Sequence, residues 1–388
     1  LAKKNNTISS SASESDLLTK EINAYLKTNT SIEAESVGEH DFIPELLDTG
    51  NYTLNWAISG KLVGGFPCTK VSEMFGDPGS GKSLILTKIA GENIKRGGIS
   101  YIIDTEDAIN PLFAKIILND PDGSVVNKIQ RVDTIDTLEQ LRNFIVSLAN
   151  KKISMNNNTP IFIGIDSISQ LSSEKEMEDA KSGSFARDMT KQQAMRGFFR
   201  VVNRLLRPAN ITLVVLSHTS AAIGAFGNPV TAANHGGGVK FASSVRIWIT
   251  SSKEVADSNG IPLGVRMNFK IEKNRLVFKG RKASVNLSFK KGIQGYSGLL
   301  ELLADNEIVK LSTKDIKKTT KVTYHGQEFS ASKLEEWIEQ NGGSIKILEG
   351  WQKALDDIYG SSADEESFEE ASPIDEFEND LIVTPLLG

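Results

Sequence analysis

Residues 71–98 read VSEMFGDPGSGKSLILTKIAGENIKRGG. A short apolar run, VSEMF, enters Gly76-Asp77-Pro78-Gly79-Ser80-Gly81-Lys82-Ser83, which fits the pattern G-x-x-x-x-G-K-[ST]. A helical run beginning at Leu84 follows and stops at Gly97-Gly98, as glycine commonly stops a helix. Strand, glycine loop and helix thus occur in the order that a phosphate-binding loop requires. Glycines let the backbone turn tightly, so several N–H groups converge on an anion at the helix N-terminus. Lys82 adds a point charge for the β- and γ-phosphates and stabilises charge during phosphoryl transfer, while Ser83 offers a hydroxyl ligand for Mg2+. Residues 76–84 are therefore the candidate binding loop for a nucleoside triphosphate.

Working outward, further short apolar runs occupy residues 99–103, 160–165 and 212–216, each suited to a strand buried on both faces. They alternate with amphipathic stretches, the pattern of an α/β fold with a mostly parallel central sheet. Residues 265–272 differ, because Val265, Met267, Phe269 and Ile271 alternate with Arg266, Asn268, Lys270 and Glu272. Val285, Leu287 and Phe289 repeat that period. Strict alternation leaves one face solvated, so the sheet is expected to end in antiparallel strands.

The run IFIGI ends at Asp166, an acidic residue at a strand's C-terminal end, where a carboxylate can hold Mg2+ directly or through water. The run ISYIIDTED brings Asp104, Glu106 and Asp107 to the end of another strand. One of these carboxylates is expected to face the nucleotide and activate water, and the residues alone leave open which. No N-K-x-D guanine-reading motif is present, which argues against a GTPase.

The net charge of −5 hides a division. From Asp356 onward there are eleven acidic residues and no Lys or Arg, leaving 44 basic against 38 acidic residues before it. A mildly basic body with an acidic tail suits a nucleic-acid binder. One cysteine, Cys68, excludes an internal disulfide framework and a cysteine-based zinc site. No apolar run approaches a membrane span, and the opening LAKKNNTISSSASES has no apolar signal core, so a cytoplasmic setting is expected. The expected organisation is an N-terminal arm at 1–36, a core at 37–300, a small C-terminal α/β unit at 301–360 and a disordered acidic tail at 361–388. Helical spacing over 15–27 predicts one amphipathic helix in the arm, able to fold onto its own core or dock on another subunit. Residues 299–306 and 331–340 are the helical stretches of the C-terminal unit, with the basic run 314–318 between them.

Several segments resemble the RecA-like homologous recombinases, and the phage UvsX-like members in particular. They are LNWAISGKLVGGFPCTKVSEMFGDPGSGKS (54–83), IIDTEDAINPLF (102–113), FIGIDSISQL (162–171) and LVVLSHTS (213–220). The resemblance covers residues 51–298. It implies a catalytic glutamate at Glu106, adenine-side residues at Asn110 and Phe113, and a γ-phosphate-sensing residue at His218. Glutamine is usual at that position in bacterial members, and histidine is similar to the phage proteins. It also implies a basic pair, Lys273 and Arg275 in IEKNRLVFKG, acting in trans on the neighbouring subunit's nucleotide.

Residues 174–185 fall on the family's first DNA-binding loop. The Gly/Ala/Asn-rich stretch 221–246, long for a connection in a compact domain, falls on the second. The implied DNA-binding residues are Arg196, Phe226, Gly227, Asn228, Gly236, Gly237 and Gly238, with Lys240 and Phe241 at a subunit interface. Arg200, Arg204 and Arg207 share a helix face with Arg196 and read as a solvated or subunit-facing stripe.

The resemblance implies ATP and Mg2+ as cofactors, self-association into a helical filament, and single-stranded and homologous duplex DNA as partners. Single-strand-binding and mediator proteins are further implied partners, in a bacterial cell or a phage-infected host. A hexameric RecA-fold helicase is the main alternative, against which the Phe226-Gly227-Asn228-Pro229 loop stands. A hydrolysis-poor paralogue that assembles and acts as a mediator is the other.

Overall fold

The computed structural model describes residues 14–30, 34, 45–182, 190–223, 229–233, 237–256, 259–314 and 316–360. The chain separates into two units, Leu1–Glu45 and Leu46–Gly388. In the first, α1 (Glu14–Thr30) forms over the predicted helical spacing and extends beyond it at both ends. Among the described residues no helix is long and apolar enough to cross a membrane.

The second unit begins with β1 (Leu46–Leu47), α2 (Tyr52–Ser59) and β2 (Phe66–Pro67), a small antiparallel clasp. Next come β3 (Val71–Gly76), α3 (Lys82–Lys95), β4 (Ile99–Asp104) and α4 (Pro111–Leu118). After these lie β5 (Ile129–Val132), α5 (Leu138–Ser154), β6 (Ile161–Asp166), α6 (Glu174–Ser182) and α7 (Thr190–Leu206). The chain continues through β7 (Ile211–Ile223), β8 (Pro229–Ala233), α8 (Gly237–Ala242) and β9 (Val245–Ala256). The core closes with β10 (Pro262–Asn274), β11 (Lys282–Ser288) and β12 (Gly292–Ile293).

The main sheet has the order β12-β11-β10-β9-β3-β7-β6-β4-β5. From β9 to β5 every pairing is parallel, and from β9 to β12 every pairing is antiparallel, as the change from continuous to alternating apolar runs implies. Burial explains the continuous runs. Leu213 and Val215 join a core with Ile163, Ile165, Phe198 and Val202, whereas Val214 and Leu216 face the opposite core with Ile85, Leu86 and Phe162. Helix α5, which the strand-by-strand reading of the sequence did not single out, starts with a capping box between Thr137 and Gln140 and buries Leu138, Leu141 and Ile145.

Two loop expectations change. Residues 174–182 are helical rather than loop, since EKEMEDAKS carries helix formers and Ser173 accepts a hydrogen bond from the Glu176 N–H. Much of the expected second loop is also ordered secondary structure. Strand β7 runs past Leu216 to Ile223 and pairs antiparallel with β8, from Thr219 opposite Ala233 to Ile223 opposite Pro229, and α8 follows. Phe226, Gly227, Asn228, Gly236, residues 183–185, the first 13 residues and the acidic tail at 361–388 lie outside the described residues.

The C-terminal segment comprises α9 (Leu299–Asp305), β13 (Lys310–Leu311), β14 (Lys321–Tyr324), β15 (Gln327–Ser330), α10 (Leu334–Gln340) and α11 (Gly343–Gly360). The stretch expected to be one helix from 331 begins as a single 3-10 turn, with α10 starting at Leu334. An aromatic pile holds it together, with Trp337 stacked on Phe329 at 4.5 Å and on Trp351 at 6.4 Å. Gln352 ties α11 to the end of α2, accepting from the Leu62 N–H at 2.6 Å and donating to the Gly60 carbonyl at 3.0 Å.

Candidate nucleotide site

The phosphate loop joins β3, central in the sheet, to the N-terminus of α3. Gly81 is the N-cap of α3 with φ +91 and caps it with no side chain, so the first N–H groups of the helix are left for an anion. Asp77, Pro78 and Gly79 form an exposed tip, while Ser80 and Lys82 are buried and Leu84 packs against the core. The Lys82 ammonium donates to the carbonyls of Gly76 at 2.9 Å and Asp77 at 2.8 Å, which holds it within the loop. Burial pulls its pKa below the usual lysine range, against the opposing pull of Asp166, Glu106 and Asp77.

Asp166 ends β6 as the sequence predicts, and its carboxyl is buried. Burial pushes its pKa up to about 6, with the Ser83 hydroxyl bond and Lys82 pulling the other way and Glu106 and Asp104 adding to the rise. One of its oxygens, Oδ2, is buried with no hydrogen-bond partner among the described residues. Such an orphan acceptor costs about 1–3 kcal/mol. A buried carboxylate with an unmatched oxygen beside the serine of the phosphate loop suits Mg2+, and Ser83 and Asp166 are the residues that would hold it.

The three acidic residues after β4 divide by their surroundings. Asp104 accepts from the Ala108 N–H at 3.1 Å and from Arg131 Nε at 2.7 Å, and Asp107 also pairs with Arg131. Glu106 alone turns towards the phosphate-loop side. Its Oε1 accepts from the Ser167 hydroxyl at 2.6 Å and lies 2.6 Å from His218 Nε2. Burial raises the Glu106 pKa, but the Ser167 and His218 bonds and Lys82 outweigh it and hold the carboxyl below its usual range. The group is therefore an ionised base at neutral pH.

Adjacent strand ends make this meeting possible, since β4, β6 and β7 are neighbours in that order. Thr105 fastens the first two, donating its hydroxyl to the carbonyls of Asp166 at 3.1 Å and Ser167 at 3.0 Å and accepting from the Ser167 N–H at 2.9 Å. His218 lies opposite Gly76 in the β3–β7 register, so one imidazole stands between the phosphate loop and Glu106. The next residue, Thr219, bonds the Asp77 carboxylate at the loop tip. Ser167, Thr105 and Arg131 were missed from the sequence. The hydroxyl directly after the strand-ending Asp166 was the available signal for Ser167.

Other expected residues have different settings. Asn110 is the N-cap of α4, accepting from Leu112 N–H at 2.9 Å and Phe113 N–H at 3.3 Å, and Phe113 packs half-buried on the core. Arg196, Arg200, Arg204 and Arg207 are exposed, while α7 buries Met195, Phe198, Phe199, Val202 and Leu206 on its other side. Gly237 opens α8. Gly238 is buried, and a Cβ there would come within 2.7 Å of the Met195 side chain, a packing reason for glycine that does not involve DNA. Lys240 and Phe241 are exposed near the end of α8.

The ammonium of Lys273 donates to the Lys240 carbonyl at 2.8 Å, and Arg275 reaches the Phe241 carbonyl at 3.5 Å, so both cations cap the C-terminus of α8. Through β9, Lys273 is level with Glu73 rather than with Gly76, about 10 Å down the sheet from the protomer's own phosphate loop. On the two strands beside it at that level, Glu73 and Arg246 form an ion pair, with Arg246 over the Phe75 ring at 4.7 Å. The sequence-predicted residues therefore gather as Gly76–Ser83, Asp166, Glu106 and His218, and Lys273 and Arg275 stand apart from them.

Residues 29–294 match the RecA N-terminal domain family. The RecA protein of Treponema pallidum is 30% identical over 270 residues, covering 68% of this chain and 61% of that relative. The RecA protein of Mycoplasma mycoides subsp. mycoides is 28% identical over 281 residues, covering 69% and 72%. That of Chlamydia felis is 29% identical over 281 residues, covering 71% and 74%. The chain thus spans less than two thirds of the Treponema relative's length. With the family match extending across most of the residues and ending at the close of the main sheet, the chain belongs to the RecA family.

Proposed function

We propose that the protein is an ATP-dependent DNA recombinase that assembles on single-stranded DNA as a helical filament and carries out homologous pairing and strand exchange. Hydrolysis of ATP is stimulated by DNA and takes place at subunit boundaries. The observation that carries this reading is the convergence of Glu106, Ser167 and His218 beside the phosphate loop.

In this reading the N–H groups at the start of α3 and the Lys82 ammonium hold the phosphates, Lys82 exchanging loop carbonyls for phosphate oxygens. Mg2+ bound by Ser83 and Asp166 would neutralise charge on the β- and γ-phosphates. Glu106 takes a proton from a water molecule as its oxygen attacks the γ-phosphorus, and the bond to the β-phosphate oxygen breaks to leave ADP. His218 couples this chemistry to DNA. Its Nε2 can engage Glu106 or a γ-phosphate oxygen, and its strand continues into the hairpin that leads to the second loop. Lys273 and Arg275, remote from their own loop, serve the nucleotide of the next subunit.

The bases of the bound strand stay free for pairing, so complementarity reads sequence and the protein supplies geometry. His218 and the wording DMTKQQAMR favour a phage UvsX-like member over a bacterial one. Such a protein would work with single-strand-binding and mediator proteins. The test is strand exchange between circular single-stranded DNA and homologous linear duplex, with and without ATP, alongside electron microscopy. ATP-dependent joint molecules and helical filaments are expected. Closed rings with unwinding would favour the helicase, and a protein that stays monomeric with nucleotide and oligonucleotide in excess would overturn the proposal.

A further inference from the structure

We propose that Arg131 is a positioning residue for Glu106, a single guanidinium that clamps both ends of the turn carrying the catalytic carboxylate. The inference rests on the ATPase reading of the site. Arg131 lies on β5 opposite Ile102 of β4, so its side chain reaches the end of β4 from the neighbouring strand. Its Nε donates to Asp104 Oδ2 at 2.7 Å, one terminal nitrogen donates to Asp133 at 3.1 Å, and the other pairs with Asp107. Asp104 and Asp107 flank Glu106 in sequence, so any shift of either end moves the base between them.

The three arms are not equal. The Asp104 side chain is fully buried, whereas those of Asp107 and Asp133 are 89% and 53% exposed. Exposed pairs add little on their own, while a buried carboxylate left without its cation is strongly unfavourable. Asp104 passes the constraint on, since its carboxylate also accepts from the backbone N–H groups of Ala108 and Ile109 and so closes the turn from within. Asp107 sits at φ +52, a left-handed conformation for a non-glycine residue, and its pairing with Arg131 holds it there. On the far side of the same turn Glu106 meets Ser167 and His218. Arg131 and Glu106 line one cleft of about 690 Å³ along with Asp133, Asp136, Gln170 and Met177. A base must be held to within a fraction of an ångström of its working position beside the water, so a loosened turn costs turnover without costing nucleotide affinity.

The test is steady-state DNA-stimulated ATP hydrolysis by the full chain for wild type, Arg131→Ala, Arg131→Lys, Asp107→Asn and Glu106→Gln. Thermal melting and the affinity for a fluorescent ATP analogue are measured for each. Arg131→Ala is expected to lower kcat roughly tenfold to a hundredfold with KM and analogue affinity within about twofold of wild type. Added guanidinium should restore part of its kcat, which a purely structural defect would not allow. Arg131→Lys should lose kcat as well, because one ammonium does not span three carboxylates. Asp107→Asn should show a smaller loss. Unchanged kcat in a folded Arg131→Ala or Arg131→Lys protein would overturn the proposal, as would equal losses in kcat and nucleotide affinity. Should the alanine variant not fold, the lysine and Asp107 variants decide it by the same split. A wild type that hydrolyses no more ATP than Glu106→Gln removes the ATPase reading itself, a result separate from any behaviour of Arg131.

Discussion

Glu106 Oε1 and His218 Nε2 lie 2.6 Å apart although their strands, β4 and β7, are separated in the sheet by β6. The bond crosses the end of β6 above Ser167, which bonds the same carboxylate oxygen. Glu106 is thereby joined to the strand that leads into the β7–β8 hairpin. The imidazole has one nitrogen to give, because its Nδ1 is buried with no partner among the described residues. An N–H at Nδ1 would be a buried, unsatisfied donor, so the bonding points to the tautomer that carries its proton on Nε2.

Replacing either end of that bond should have different effects. Glu106→Gln removes the base and should lower kcat by about 10²–10⁴-fold while leaving nucleotide and DNA binding intact. His218→Ala leaves the base but cuts its link to the hairpin. Its hydrolysis should become independent of DNA, with the rates with and without single-stranded DNA converging. A His218→Ala protein that keeps full DNA stimulation would show that the coupling runs elsewhere.

Ser167 sets a pH prediction. Its hydroxyl is the foremost of the bonds that hold the Glu106 pKa below the ordinary carboxyl range against the effect of burial. Because the base works only when ionised, the acid limb of the kcat profile should lie below the usual glutamate range in the wild type. Ser167→Ala removes a bond to the charged form, so that limb should move to higher pH. Stability follows the same sign. A depressed carboxyl contributes stability above its unfolded pKa and loses it as pH falls through the folded value, so the variant's deficit should be present at neutral pH and shrink in acid. Melting temperatures of both proteins across pH 3–7 check the second half.

How much of this was legible beforehand depends on the range of the cause. The phosphate loop, Asp166 and the switch from parallel to antiparallel pairing follow from local patterns, because glycine spacing and apolar periodicity are written in consecutive residues. Which of Asp104, Glu106 and Asp107 turns towards the phosphate loop was not legible from the residues alone, since it depends on Arg131, 24 residues beyond Asp107 in the chain, and on His218, 112 beyond Glu106. The Gly/Ala/Asn-rich stretch after His218 reads as loop because small residues carry no period. Backbone pairing with β7 makes a strand of PVTAA all the same. Helix α6 was hidden for a related reason, as its residues are all exposed or half-exposed and leave no apolar stripe to find.

Gly76 and Gly81 are both glycines of the loop but for different reasons, and substitution should separate them. A Cβ on Gly76 would sit 2.1 Å from the Ile249 carbonyl oxygen, a backbone atom of the paired strand β9. That clash has no flexible partner to absorb it, so Gly76→Ala should cost about 3 kcal/mol or more of stability. A Cβ on Gly81 would meet the Sδ of Met267, which can swing away, leaving mainly the strain of a side chain at φ +91. Gly81→Ala should therefore cost about 1–2 kcal/mol, and adding Met267→Ala should not recover it. Denaturant unfolding of the three variants measures both differences.

Lys273 lies far from the phosphate loop of its own subunit. Lys273 and Arg275 cap α8, and Lys273 stands level with Glu73, so in one subunit they are out of reach of the phosphates beyond Gly76. If they complete a neighbour's site, then Glu106→Gln and the double variant Lys273→Ala/Arg275→Ala are defective in different halves of one shared interface. Each should be inactive alone. Mixed in equal amounts before DNA is added, they should regain activity, since roughly a quarter of randomly formed head-to-tail interfaces join an intact Glu106 to an intact basic pair. Dilution of the mixture below the assembly concentration should abolish the gain. If the basic pair acted within its own subunit, no mixture could restore hydrolysis, because every subunit would carry one of the two defects.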